Sequence, residues 1–248
     1  MNDIKIFNTD CLEYMKSLPA HCIDLIVTDP PYDLHVGIEG GSCASHCGRS
    51  ERFKNENVEG IKDFGSGYDI RTFGKEFVRI MKDINIYFWC NKMQIPDYFD
   101  FYVKELGCKF EILFWGKQNA MPTYNNKYLT DTEYCLYFRN GTGQLHPENY
   151  KDAQTYWIDP INQTDKLKYG HPTIKPLHMI EKLVRNSSKE NDIVFDPFLG
   201  SGTTGVACKK LNRGFIGTEI SPEYYEIAKR RIEETQVTKS YNLEGFFE

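Results

Sequence analysis

The chain has 248 residues, of which 40% are hydrophobic and 14% aromatic, and a net charge of -5 at pH 7. That length can bury the core of one large domain, and no stretch approaches the ~18 apolar residues of a membrane span. The N-terminus carries no signal-peptide pattern, so the eight cysteines are expected to be reduced thiols in a cytoplasmic protein.

Ile4–Phe7 reads as a short strand, and Cys11, Leu12, Tyr14, Met15 and Leu18 have helical spacing ahead of Pro19. Asp24-Leu25-Ile26-Val27-Thr28 is short and β-branched, the pattern of a central parallel strand. Residues 33–67 have no sustained period and many Gly, Ser, Asn and charged residues, which predicts a long mobile loop. A helix over Tyr68–Lys82 leads to a strand at Ile84–Cys90, then a helix at Tyr98–Leu106 capped by Gly107. Phe110–Trp115 and Tyr134–Arg139 are aromatic, β-rich runs that could pair antiparallel, and 140–170 is polar and turn-rich. After Pro176 come a helix to about Asn186, a strand Asp192–Asp196, a helix Thr203–Leu211, a strand Gly214–Thr218 and a helix Pro222–Thr235. Strands alternating with helices predict an α/β doubly wound sheet in one domain, residues 1–248.

Asp29-Pro30-Pro31-Tyr32 closes the Asp24–Thr28 strand. Two prolines cannot continue a ladder, so the chain stops at the carboxyl end of the strand, the edge where open α/β sheets bind ligands. The tetrapeptide offers a carboxylate, prolyl carbonyls and a flat ring, the parts that hold a planar ring and accept from its exocyclic amine.

Asp196-Pro197-Phe198-Leu199-Gly200-Ser201-Gly202-Thr203-Thr204-Gly205 joins a strand to a helix and satisfies G-x-G-x-x-G, with Glu219 at the end of the next strand. Glycines let the backbone approach a ligand, the helix start offers free N–H groups, and the acid can accept from ribose hydroxyls. These features suit a nicotinamide dinucleotide or S-adenosylmethionine. Asp196, ahead of the loop, favours a ligand with an ammonium group. No Lys follows Gly205 in Walker fashion.

Together these residues resemble the amino-methyltransferases of DNA, in the permuted class called β. Asp29-Pro30-Pro31-Tyr32 is similar to the family's catalytic motif, Asp196 through Thr204 to its cofactor loop, and Glu219 to its ribose-binding acid. His171-Pro172-Thr173-Ile174-Lys175-Pro176 resembles the segment before the cofactor strand. Asn8-Thr9-Asp10-Cys11-Leu12 resembles the opening motif, whose Asp faces the adenine, and Asn119-Ala120-Met121-Pro122 an Asn-x-x-Pro stretch. The resemblance implies a Rossmann-like class I methyltransferase fold, circularly permuted, with a seven-stranded, mostly parallel sheet and one antiparallel strand. It implies S-adenosyl-L-methionine as cofactor, double-stranded DNA as partner, and methyl transfer to a flipped base, with a homodimer left open. Catalysis would rest on Asp29, Pro30 and Tyr32. The cofactor would meet Asp10, Cys11, Lys175, Asp196, Phe198, Gly200, Gly202, Thr203 and Glu219. Asp at the head of the motif tends to accompany adenine-N6 targets and Ser cytosine-N4 targets in this family.

Phosphate contacts are expected from Arg49 and Arg52 in the long loop, Lys117 and Lys127 around the Asn-x-x-Pro stretch, and Lys166 and Lys168. The last two fall in 140–170, where basic and aromatic residues interleave, the expected target-reading insertion. His35, Cys43, His46 and Cys47 lack the paired spacing of a zinc site, and no metal is expected. His171 reads first as a loop histidine, since the chemistry needs none. The alternatives are cytosine-N4 transfer, a non-catalytic regulator of the same fold, or a dehydrogenase, in which Asp29 through Tyr32 has no role.

Overall fold

A computed structural model describes residues 3–31, 68–120, 128–141, 145–170 and 174–236. Among the described residues eight strands form one sheet: β1 (Ile4–Asn8), β2 (Leu25–Thr28), β3 (Asn85–Cys90), β4 (Lys109–Lys117), β5 (Thr132–Arg139), β6 (Tyr156–Asp159), β7 (Ile193–Asp196) and β8 (Gly214–Glu219). Their order is β1-β8-β7-β2-β3-β5-β4-β6. Only β5 runs against its neighbours, pairing antiparallel with β3 and β4, as the two aromatic runs foretold.

The sheet has one strand more than expected. The extra strand is β6, which pairs parallel with β4 from Phe114↔Tyr156 to Lys117↔Asp159. Part of the 140–170 segment is thus built into the sheet edge. Its four residues are too few for a period-2 signal to separate them from the surrounding turns.

Strand alternation divides the core into two layers. Leu25, Val27, Tyr87, Trp89 and Val194 face α6 (Leu177–Ser187), α7 (Thr203–Lys210) and α8 (Pro222–Glu234). Ile26, Ile86, Phe88, Leu136 and Phe195 face α1 (Cys11–Ser17), α2 (Ile70–Ile80) and the helical segment that follows β3. Burial on both faces explains why the central strands read as unbroken apolar runs. Two short helices, α4 (Tyr150–Ala153) and α5 (Gln163–Tyr169), flank β6.

The helix expected at Tyr98–Leu106 is a single α turn, α3 (Ile95–Tyr98), that continues as a π-helical segment, Phe99–Glu105. Gly107 follows with φ +67°, a left-handed closure that suits glycine. The described cysteines 11, 22, 90, 108, 135 and 208 are all free thiols. No helix among the described residues is long and apolar enough to cross a membrane.

Chain order reverses between β2 and β7. From β2 the chain proceeds to β3 on one side, whereas β7 and β8 lie on the other. This switch point opens a crevice beyond the carboxyl ends of the strands. Asp29 ends one flank and Asp196 the other.

Candidate active site

The crevice is a cavity of about 370 Å³, walled by Asp10 and Cys11 after β1, Asp29 and Pro31 after β2, the loop after β7, and Glu219 ending β8. Motifs at opposite ends of the sequence meet because β1 lies beside β8, with Asn8 opposite Glu219.

The glycine loop is shaped by packing as much as by access to the cavity. Gly200 and Ser201 are on its wall, but Gly202 is not. Gly202 has φ +78°, and a Cβ there would lie 2.9 Å from the Ala228 Cβ of α8. Gly202, expected to let a ligand approach, is needed for a left-handed turn and for the close approach of α8. Arg231, also on α8, braces the loop from behind. Its buried guanidinium donates to the Ser201 carbonyl at 2.5 Å, to Ser201 Oγ at 2.8 Å and to Thr203 Oγ1 at 3.2 Å.

Asp196 bolts the two flanks together. Oδ1 accepts from Thr28 Oγ1 on β2 at 2.9 Å and Phe198 N–H at 3.2 Å, and Oδ2 accepts from Thr204 Oγ1 on α7 at 2.7 Å. Burial pushes its carboxyl up to about 7, against those hydrogen bonds and with help from the Asp29 charge. The two threonines were not singled out as site residues, because a hydroxyl in a strand or helix start carries no local signal of its partner.

Glu219 accepts from Gly200 N–H at 2.8 Å and Ser221 N–H at 2.9 Å, while burial holds its carboxyl above the usual range. Each oxygen keeps a second lone pair for a ligand hydroxyl. Asp10 uses Oδ1 to cap α1, accepting from Glu13 N–H at 2.9 Å, and burial pushes the neighbouring Cys11 thiol up to about 12. Phe198 packs with Tyr68 edge-on, ring centres 5.4 Å apart, and with Phe73 at 5.8 Å, giving the cavity an aromatic wall. Tyr68 read only as the start of a helix.

At the other flank, Pro30 is buried and Pro31 lines the cavity. The Asp29 carboxylate takes a 2.5 Å hydrogen bond from Lys175 Nζ. Lys175, expected at the cofactor, therefore also reaches the carboxylate expected at the target amine. Its ammonium lies 3.1 Å from Glu133 Oε2, and Glu133 Oε1 accepts from Lys117 at 2.5 Å. Glu133 was missed because it precedes the aromatic run Tyr134–Arg139, where an acid reads as a solvent-facing charge, whereas β5 begins at Thr132.

Among the basic residues, Lys117 is largely buried in that ion pair and stacks over Trp115. Lys166 is held below the usual lysine range by burial and by the charges of Lys117 and Lys175. Lys168 is exposed, 2.7 Å from Tyr169 Oη and 3.9 Å from Glu234. Asn119 Oδ1 accepts from Ile161 N–H at 2.7 Å, tying the end of β4 to the chain beyond β6. Tyr32, Arg49, Arg52, Lys127, His171 and the His35, Cys43, His46 and Cys47 group lie outside the described residues.

The cavity suits a nucleoside that carries a cationic tail. It has an aromatic wall, a carboxylate at a strand end, and a second carboxyl whose proton a nearby cation would displace. Trp89 on its wall also has a buried indole N–H with no acceptor among the described residues. Such an orphan donor is costly unless a ligand supplies a partner.

A doubly wound sheet with this cavity at its switch point defines a Rossmann-like domain that binds its ligand beyond the strand ends. The family model described as DNA methylase matches residues 23–230, and the chain belongs to that family, the S-adenosylmethionine-dependent amino-methyltransferases of DNA. The Type II methyltransferase M2.MboI of Moraxella bovis is 30% identical over 254 residues, 96% of this chain and 91% of that protein. The solved M1.HpyAVI–SAM complex aligns with a TM-score of 0.66 at 26% identity, covering 92% of this chain and 99% of that one. The PvuII DNA methyltransferase, described as cytosine-N4-specific, aligns with a TM-score of 0.68 over 96% of this chain and 89% of that one. At 18% identity this last likeness bears on the fold alone.

Proposed function

We propose that the protein methylates the N6 amino group of adenine in duplex DNA after the base is extruded from the helix. The observation that carries this reading is the Asp29 carboxylate, standing on the wall of the cavity that also holds Glu219 and the glycine loop. Acceptor and cofactor-type pocket thus share one space.

When bound, S-adenosylmethionine supplies a methyl group on a positively charged sulfur that becomes neutral as the methyl leaves. Glu219 would accept from its ribose hydroxyls, Asp10 and Phe198 would flank its adenine, and Asp196 would face its ammonium group. An exocyclic amine is a weak nucleophile because its lone pair is shared with the ring. Asp29 and the Pro30 carbonyl would each accept one amine N–H, favouring a pyramidal nitrogen and stabilising the positive charge that grows there. Tyr32 would stack on the extruded ring and recover part of the few kcal/mol lost on unstacking and unpairing. Arg49, Arg52, Lys127, Lys166 and Lys168 would contact phosphates, and the cytoplasm is the compartment where this DNA and cofactor meet.

The Asp at the head of the motif is what favours adenine over cytosine. Mass spectrometry of nucleosides from DNA treated with protein and cofactor tests this. N6-methyladenine is expected, and N4-methylcytosine without it would overturn the base assignment.

A further inference from the structure

Four charges of alternating sign cross the sheet toward the reaction end. Lys117 on β4 donates to Glu133 on β5, Glu133 faces Lys175, and Lys175 donates to Asp29 at the end of β2. Between β5 and β2 lies β3, whose Trp89 ring sits 5.2 Å from the Lys175 ammonium. These are four neighbouring strands in the sheet order. Lys175 itself is anchored between the buried Ile174 and Pro176, the cap residue of α6, and its side chain is about nine-tenths buried. A buried ammonium with two carboxylates and an aromatic face is a fixed part of the wall, since moving it away from them would strand buried charge.

We propose that Lys175 and Glu133 are positioning residues for Asp29: Lys175 fixes its carboxylate, and Glu133 cancels the charge of Lys175 at the reacting amine. This inference rests on the reading of Asp29 as the acceptor of the target amine. Lys175 holds the carboxylate at Oδ2, which limits its rotation and fixes where the acid meets the target amine. A lysine this close to a nitrogen that is becoming positive would oppose the reaction on its own. The four charges of the row sum to zero, so with Glu133 in place the cation grows beside Asp29 without an excess positive charge behind it. Lys117 holds Glu133 from the side away from Asp29. The role expected from the sequence for Lys175, contact with the cofactor, becomes a role at the substrate.

The arrangement has a pH signature. Among the described residues, Asp29 is paired with Lys175 and is electrostatically coupled to Cys135 of β5, Cys90 of β3 and Asp196 of β7, while Glu133 reaches it through Lys175. Lys175 is the cation in this set and favours the ionised acid.

The test uses the full chain, duplex DNA and single-turnover methylation across pH, with cofactor affinity measured by calorimetry and folding by thermal melts. Lys175→Met should leave cofactor affinity within about twofold, slow methylation by about 10- to 100-fold, and move the acidic limb of the rate profile to higher pH. Glu133→Gln should slow methylation but move that limb to lower pH, because Lys175 then acts on Asp29 alone. Lys175→Arg should restore the limb. A tenfold loss of cofactor affinity in Lys175→Met with an unmoved limb would overturn the inference and return Lys175 to the cofactor. Limbs that move the same way in both variants would overturn the charge-cancelling role of Glu133. If Lys175→Met does not fold, Lys175→Arg and the isosteric Glu133→Gln decide by the same criteria. Near-normal turnover in Asp29→Ala would instead remove the amine-acceptor reading and this inference with it, whereas an inactive Asp29→Ala beside unmoved limbs sinks this inference alone.

Discussion

Replacing Asp196 by asparagine isolates the cost of the charge buried at the switch point. The amide oxygen can keep the bonds from Thr28 and Phe198, and the Thr204 hydroxyl can turn to accept from the amide nitrogen, so shape and hydrogen bonding survive. The folded carboxyl sits at about 7 against an ordinary 3.8, so the folded state holds a proton that the unfolded chain has already released. An acid raised in this way contributes most stability below 3.8 and loses it as pH rises to about 7. At about 1.36 kcal/mol per pH unit the loss across that window is on the order of 4 kcal/mol. Urea unfolding of both proteins between pH 4 and pH 9 measures it. The stability of the native protein relative to Asp196→Asn should fall with pH up to about 7 and then level off. A cationic ligand beside Asp196 favours its ionised form, so cofactor binding near pH 6.5 should also release protons, readable by calorimetry in two buffers. A stability difference that is flat with pH would refute the buried-charge argument.

Asp29→Ala should cost about 2.7–4 kcal/mol of barrier, some 10²–10³ in rate, if its carboxylate acts on developing charge as an oxyanion-hole donor does, with cofactor affinity retained in calorimetry. Glu219→Ala should weaken cofactor binding by about 1.5–3 kcal/mol while melting near the native temperature. Gly202→Val should instead destabilise the fold by about 2–5 kcal/mol in urea unfolding, since its side chain strikes Ala228 from a left-handed backbone. DNA affinity should fall with salt by about 0.9 in log-log slope per neutralised phosphate. Lys168→Ala should flatten that slope, whereas Lys117→Ala should not, because the Lys117 ammonium is committed to Glu133.

The sequence by itself determined the parts whose chemistry is local. A β-branched run halted by two prolines marks a strand end, G-x-G-x-x-G after a second run marks another, and Glu219 after a third marks the last. Parallel strands in a doubly wound sheet must put those ends on one edge, so motifs far apart in the chain were legible as one site. Tertiary structure alone decided which side chains meet. Asp29 and Lys175 are 146 residues apart, Thr28 and Asp196 168 apart, and neither pairing leaves a mark on the spacing of either partner. Glu133 is one acid in an aromatic strand until β5 is laid against β4 and turned toward Lys175. Gly202 belongs to a ligand loop by its motif and to the α8 contact by its surroundings. The π-helical turn and the four-residue β6 likewise arise from packing against β3–β5 and pairing with β4. Periodicity and turn chemistry act over a few residues, while burial, ion pairing and edge pairing depend on neighbours that only the folded chain supplies.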